Sequence, residues 1–586
     1  MLRNRTRALA SLMLSLALCS AQEPTDHPAG MIAAYTANRD RGIGNYVTRD
    51  MVLLGHVLSL EEATTQAEEE IYGPEIITLV EGLCSTAAKA TDSPITAANK
   101  QFVSVLSALS SGKAPESGPA KDEFDKVTAS QGISRSAILP ETIDYSQFRV
   151  RGNYTRSPAL GHYFQTVRYA GTVLFAVKES GSTGIEAKDA DQLTAQALQL
   201  ASWISGSPKT AAAYKNYVHQ TGLLFGDPDD LILEDLLAVS TIKGTPEQRA
   251  ALLQSARKNG RQPQVIGGIV DLAKLEPGVT AQDALTGWRI FPQRRSPDGA
   301  AFQQLIFPNA GDYLGKKQPL SMDTINGKQV KAFPLALELP ALLGLQSAIK
   351  MLDSTDDRNY QGYEAAFKKA QHLLTTSPQP TSWLPAFQQL VGIKTDSSEA
   401  AEQLTTTALA YWTRNRHRSL LYEKQTYTPV VKSVAIAAPR TTAYLEPATA
   451  LYKALIAQTQ ALAPALKPAT VVALQDTLNR CVAISQKETA GTALATPDIA
   501  FLNDIDQSFM KIAKREDSPV VVDVHTNPSS RQVLEEAVGY PTLVEFKHGS
   551  DTLRGARLTH FEFRQPMDQR MTDEEWQVKA RTWKQQ

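Results

Sequence analysis

Three cysteines in 586 residues are too few for a disulfide-built scaffold, and their spacing gives no zinc-ligand pattern. An excess of either charge is missing too. With 60 basic and 61 acidic side chains, a net charge of −1 and no long Lys/Arg run, a phosphate-tracking nucleic-acid binder is excluded. Beyond the N-terminus no apolar run is long enough to span a bilayer. The composition is not that of collagen-like, mucin-like or disordered chains. The length exceeds what one core supports and suggests roughly two to four folding units.

The usual catalytic signatures are also absent. The sequence has no HExxH, no GxSxG, no Asp-Thr/Ser-Gly, no GxGxxG and no complete phosphate-binding loop; Gly311 to Lys316 is one residue short and lacks the hydroxyl. Ser255–Lys258 and Ser347–Lys350 match SxxK without a companion KTG.

The N-terminus carries an address. Residues 1–7 hold three Arg and no acid, residues 8–18 are apolar, and Cys19-Ser20-Ala21 offers small residues before Gln22. This is the pattern of a secretory signal, residues 1–21, and it predicts a secreted or periplasmic protein. The lipoprotein alternative, acylated at Cys19, is opposed by the bulk of Leu18. Removing the leader leaves 57 basic against 61 acidic groups, a net of −4, and two cysteines, Cys84 and Cys481, which either pair or remain buried thiols.

The rest reads as mainly α: a multi-layer helical body with a small antiparallel β element near the C-terminus. Leu193, Ala197, Leu200 and Ile204 recur at helical spacing, as do Tyr363, Phe367, Ala370 and Leu374, and residues 400–424 form a further long helical candidate. Pro-rich segments at 112–121, 375–382 and 461–470 read as loops. Residues 519–525 and 558–563 alternate as strands do. The segments are 22–120 (helical), 121–375 (central helical), 376–515 (second helical) and 516–586 (β-containing). In residues 226–235, Asp229 or Asp230 is expected to start a helix.

Polar residues in apolar surroundings supply the site candidates. Residues 410–427 place Arg416, His417, Tyr422 and Lys424 on a helix apolar over much of its circumference. They form either an internal ion-pair network or a site wall. Period-two geometry puts Asp523 and His525 on one strand face, roughly 6–7 Å apart, as an acid/base pair or two metal ligands. No cofactor is expected; a divalent metal at Asp523 and His525 is the alternative, and needs a third ligand. The loop 144–157, with Tyr154 and Arg156, is rich in hydrogen-bonding side chains.

Several segments carry a family resemblance: NYVTRDMVLLGH (45–56), IDYSQFRVRGNYTRS (143–157), FGDPDDLILED (225–235), FPQRRSPDGAAFQQLIFP (291–308), ALAYWTRNRHRSLLYEKQTY (408–427), AYLEPATALY (443–452) and VVVDVHTNPSSRQVLEEAVG (521–539). In this order they resemble a bacterial secreted family, domain of unknown function number 3160. The resemblance implies a secreted, largely helical protein with a small C-terminal β portion, and no chemistry. Arg418, Asn153 and Glu338 depart from the family pattern, which at a site implies altered activity.

Two functions follow. The first is a secreted hydrolase acting on an extracellular polymer, glycoprotein or peptide. Asp523, His525, His417 and Glu446 would be its acid/base groups, and Arg416, Lys424, Tyr422, Arg156 and Tyr154 its substrate-binding groups. The second is a non-catalytic extracytoplasmic protein that binds a glycan, a peptide or a partner. Neither involves nucleic acid or an integral membrane segment.

Overall fold

The computed structural model describes residues 28–239, 243–325, 327–376, 380–422 and 440–583. The stripes read from spacing are the faces that pack. Leu193, Ala197, Leu200 and Ile204 are buried in the helix Ala187–Ser205, and Tyr363, Ala370 and Leu374 in the helix Tyr363–Thr376. Two helices form the centre. Arg49–Ala67, capped by Thr48, is buried at every residue from Asp50 to Ala67 and runs on into a π-helical turn, Glu68–Tyr72. Ser398–Arg418, capped by Ser397, packs against it and is buried throughout 407–418. A helix covered all round belongs inside a larger body, so its polar groups need partners within the protein.

Proline opens helices where loops were expected. Pro119 begins Pro119–Ala129, and Pro468 begins Pro468–Thr489 after a short turn at Ala463–Ala465. The first helical position tolerates proline because its missing N–H has no intrahelical partner there. Residues 377–379 of the Pro-rich segment 375–382, and residues 1–21 with Cys19, lie outside the described residues. The helix after Asp230 starts later than expected, at Leu233, and Asp235 caps it by accepting from Ile232 N at 3.1 Å.

The fold is mainly α with a small antiparallel sheet near the C-terminus. In that sheet Gln532–Val538 lies between Phe561–Pro566 and Val520–Asn527. The last strand begins at Phe561 rather than 558, because the Thr559 hydroxyl accepts from Gly539 N and donates to the Tyr540 carbonyl, holding the chain off the ladder. A second sheet joins distant parts of the chain in the order Thr542–His548, Asp551–Arg557, Asn45–Val47, Ala443–Leu445. Its last two pairings are parallel. One apolar core draws on residues from Met31 to Leu558. Cys84 and Cys481 are both free thiols, and burial pushes that of Cys481 up to about 12. Among the described residues no helix is long and apolar enough to cross a membrane.

Candidate functional site

Asp523 and His525 do not share a face. His525 pairs with Leu534 and Asp523 with Glu535, so Val524 is an extra residue, a β-bulge. A bulge interrupts the period-two alternation. Asp523 therefore turns inward, where its Oδ2 accepts from Arg151 Nη2 at 3.2 Å and from Arg570. Arg570 also donates to Asp144 Oδ2 at 3.2 Å and to the Thr526 hydroxyl at 3.0 Å. His525 turns to the other face, edge-on to Phe333, with ring centroids 5.7 Å apart.

That other face borders a cleft of about 290 Å³, just below the usual size range of small-ligand sites. Local sequence logic builds its walls. Ser296-Pro297-Asp298-Gly299 is a helix start: the Ser296 hydroxyl accepts from Gly299 N at 3.1 Å and Pro297 opens the helix Pro297–Leu305. Arg416 reaches the cleft from the end of its long helix and donates to the Ser296 hydroxyl at 3.1 Å; its Nε lies 3.3 Å from Asp298 Oδ2. Arg289, just after the strand Gly287–Trp288, donates Nη1 to both carboxylate oxygens of Asp230 at 2.7 Å. Asp230 is thus a counter-charge to Arg289 rather than a helix cap.

Glu141, just before the strand Thr142–Asp144, and Asp144, its last residue, also line the cleft. Burial pushes the Glu141 carboxyl up to about 8, against the opposing pull of Arg289, so it is protonated at pH 7. Glu141 Oε1 and Gln293 Oε1 have no hydrogen-bond partner among the described residues. His525 on the same cleft is half-buried, and burial lowers its imidazole to about 4, leaving it neutral at pH 7.

The remaining candidates lie elsewhere. His417 Nδ1 is 2.7 Å from Glu61 Oε1, and its Nε2 is 3.6 Å from Asp573 Oδ2. Burial works to lower the imidazole, but the two carboxylates outweigh it and hold the group above its usual value. Burial raises Asp573 to about 6. Glu61 also holds Arg515, and accepts from Asn153 Nδ2 at 2.8 Å; Arg515 and His417 together overcome burial and keep its carboxyl well below the usual range. Asn153 is therefore part of this cluster. The other two departures, Arg418 over the Phe225 ring and Glu338 beside Lys331, are not.

Glu446 is held by Arg49 and Arg557, with Arg557 Nη1 2.6 Å from Oε2. Arg49 is twelve residues before Glu61 on the same helix, roughly 18 Å along its axis, so Glu446 and His417 form no common acid/base site. The N–H of Val521, which donates to Asp573 at 2.9 Å, is four residues from His525, roughly 13 Å along the strand. Tyr154 and Tyr422 do meet: both donate to Glu68 Oε1, at 2.6 and 2.7 Å, and the Tyr422 hydroxyl is 2.6 Å from that of Tyr163. Arg156 pairs with Glu62 at 3.1 Å. Lys424 lies outside the described residues.

The cleft thus unites Arg416 and His525 and adds Glu141, Arg289, Gln293 and Arg294, none of them singled out from sequence. The signal available was two adjacent arginines before a Ser-Pro-Asp-Gly helix start in FPQRRSPDG. Among the described residues no group of three His, Cys, Asp or Glu side chains is arranged to hold a metal ion. No curated protein and no solved structure matches the chain. The sequence model of the family described as "Protein of unknown function (DUF3160)" matches residues 19–586, and the chain belongs to that family.

Proposed function

We propose that the protein is an extracytoplasmic hydrolase that acts in this cleft on a segment of an extracellular polymer, glycan or peptide. One observation carries the proposal: the wall of the cleft holds a carboxyl that burial keeps protonated at pH 7, Glu141, and a neutral imidazole, His525, is on the same cleft. A proton donor and a proton acceptor in different states at one pH are what hydrolysis needs. Glu141 gives its proton to the leaving oxygen or nitrogen. Water supplies hydroxide to the other fragment and its proton to His525, and exchange with solvent restores both groups. The leader-like residues 1–21 support the location.

The second reading is binding without catalysis. It is favoured by the fate of Asp523, His417 and Glu446, all of which are taken up in internal ion pairs. The test is to screen the protein against mucin-like glycoprotein, casein and polysaccharides, with and without chelator. Glu141→Gln is the control. Cleavage that disappears in Glu141→Gln supports the hydrolase; binding without cleavage by the unmodified protein selects the second reading. Loss of cleavage with chelator would implicate a metal.

A further inference from the structure

A charge count around the cleft leaves one guanidinium over. Its lining includes three arginines, Arg289, Arg294 and Arg416, and two acids, Glu141 and Asp144. Asp230 neutralises Arg289, Asp298 faces Arg416, and Arg570 neutralises Asp144. Glu141 is the protonated acid described above. Arg294 remains. It is 3% exposed, and its Nη2 donates only to neutral groups, the Val218 carbonyl at 3.0 Å and the Thr221 hydroxyl at 2.8 Å. Among the described residues no carboxylate lies within ion-pair distance of it; Asp227, an exposed acid, acts on it only from farther away.

A buried cation without a counter-charge is costly, and proteins keep one where a ligand completes the pair. Arg294 borders both the cleft and a second, water-sized cavity of about 10 Å³. Beside it in sequence is Gln293, 6% exposed, whose amide nitrogen can donate to a carboxylate and whose unpartnered amide oxygen suits a hydroxyl donor of the same ligand. A guanidinium and an amide together match a carboxylate, which takes two parallel N–H donors. Much of the rest of the lining is apolar, which suits the C–H faces of sugar rings, and the amides and hydroxyls set in it, including Gln147, Thr183, Gln303, Asn527 and Ser529, suit their hydroxyls.

We propose that Arg294, with Gln293, is the carboxylate subsite of the cleft, and that the ligand is an acidic glycan whose uronate-type carboxylate supplies the missing counter-charge. This rests on the cleft being the ligand site proposed above, and it names the substrate class.

The test is calorimetric titration of the full chain with an oligogalacturonide, a neutral oligosaccharide of equal length, poly-glutamate and inorganic phosphate. The expected result is at least tenfold tighter binding of the oligogalacturonide than of the neutral chain. That preference should vanish in Arg294→Gln and survive in part in Arg294→Lys. Without ligand, Arg294→Gln should melt at the same temperature as the parent or higher, because it removes an uncompensated buried charge.

Equal binding of neutral and acidic oligosaccharides overturns the proposal, and this needs no variant. So does tighter binding of poly-glutamate or of phosphate alone, or an Arg294→Gln affinity within twofold of the parent. The two proposals fail separately. Arg294-dependent binding without cleavage keeps this one and removes the hydrolase; cleavage of neutral and acidic glycans at equal rates does the reverse.

Discussion

Thr526, not His525, stands beside Asp523: Arg570 bonds both, and the extra residue Val524 carries the imidazole to the opposite face of the strand. One bulge thus separates two side chains that simple alternation places together, sending one to an arginine cluster and the other to the cleft.

Substitution at these two positions should therefore have different effects. Asp523→Asn leaves Arg151 and Arg570 facing a neutral amide, and breaking a buried ion pair costs about 3–5 kcal/mol. His525→Ala, at a half-buried position on the cleft, should cost under about 1.5 kcal/mol while abolishing cleavage. Urea unfolding of both variants beside the activity assay checks this. Equal destabilisation by the two would contradict the separation.

Glu141→Gln should preserve stability, because glutamine mimics the protonated acid, and should lower the hydrolytic rate by about 10²–10⁴-fold. In the unmodified protein the rate should fall as pH rises through about 8, where Glu141 loses its proton. A rate that stays level to pH 10 would remove Glu141 from the role of acid.

The Glu61–His417–Asp573 cluster predicts an alkaline loss of stability. The folded pKa of His417 lies above its unfolded value of about 6.5, so its contribution is complete below that pH and is lost as pH rises through the folded pKa. Asp573, raised to about 6, also contributes most below its unfolded value and loses that contribution as pH rises. Glu61, depressed, contributes above its unfolded value of about 4.5 and opposes acid unfolding. Melting temperatures from pH 5 to 9 should decline on the alkaline side, and His417→Gln should flatten that decline while lowering the whole curve.

Tyr422→Phe removes one of two phenol donors to Glu68 and the contact with Tyr163. It should destabilise by about 1–2 kcal/mol, measured by chemical unfolding, and leave oligosaccharide affinity in the cleft within twofold. A large change in affinity would tie the tyrosine cluster to the ligand.

What could be read from sequence was local. Leu193 to Ile204 reports its helix because helical packing repeats over a few residues, and Val520 to Val524 reports its strand for the same reason. Nothing in VVVDVHTN marks Val524 as unpaired, since the register is set by Leu534 and Glu535 on the neighbouring strand. Buried charge at the end of the helix Ser398–Arg418 was readable, and the internal network holds for His417. Arg416 instead reaches the cleft, and its position depends on Ser296, 120 residues away. Arg294 shows its importance only once the partners of the other arginines are known. The strands Asn45–Val47 and Ala443–Leu445 are three residues each and carry no periodicity.

The mixed sheet that joins Asn45–Val47 to Ala443–Leu445 and Asp551–Arg557 also sets a timetable for synthesis. Its N-terminal strand, made among the first fifty residues, has neighbours that leave the ribosome some four hundred and five hundred residues later. Such late partners put the fold among slow, high-contact-order topologies, with a strand edge left unpaired while the chain elongates. A nascent chain halted before Asp551 should therefore stay protease-sensitive and chaperone-bound, and native protection should arrive only when the last strands emerge.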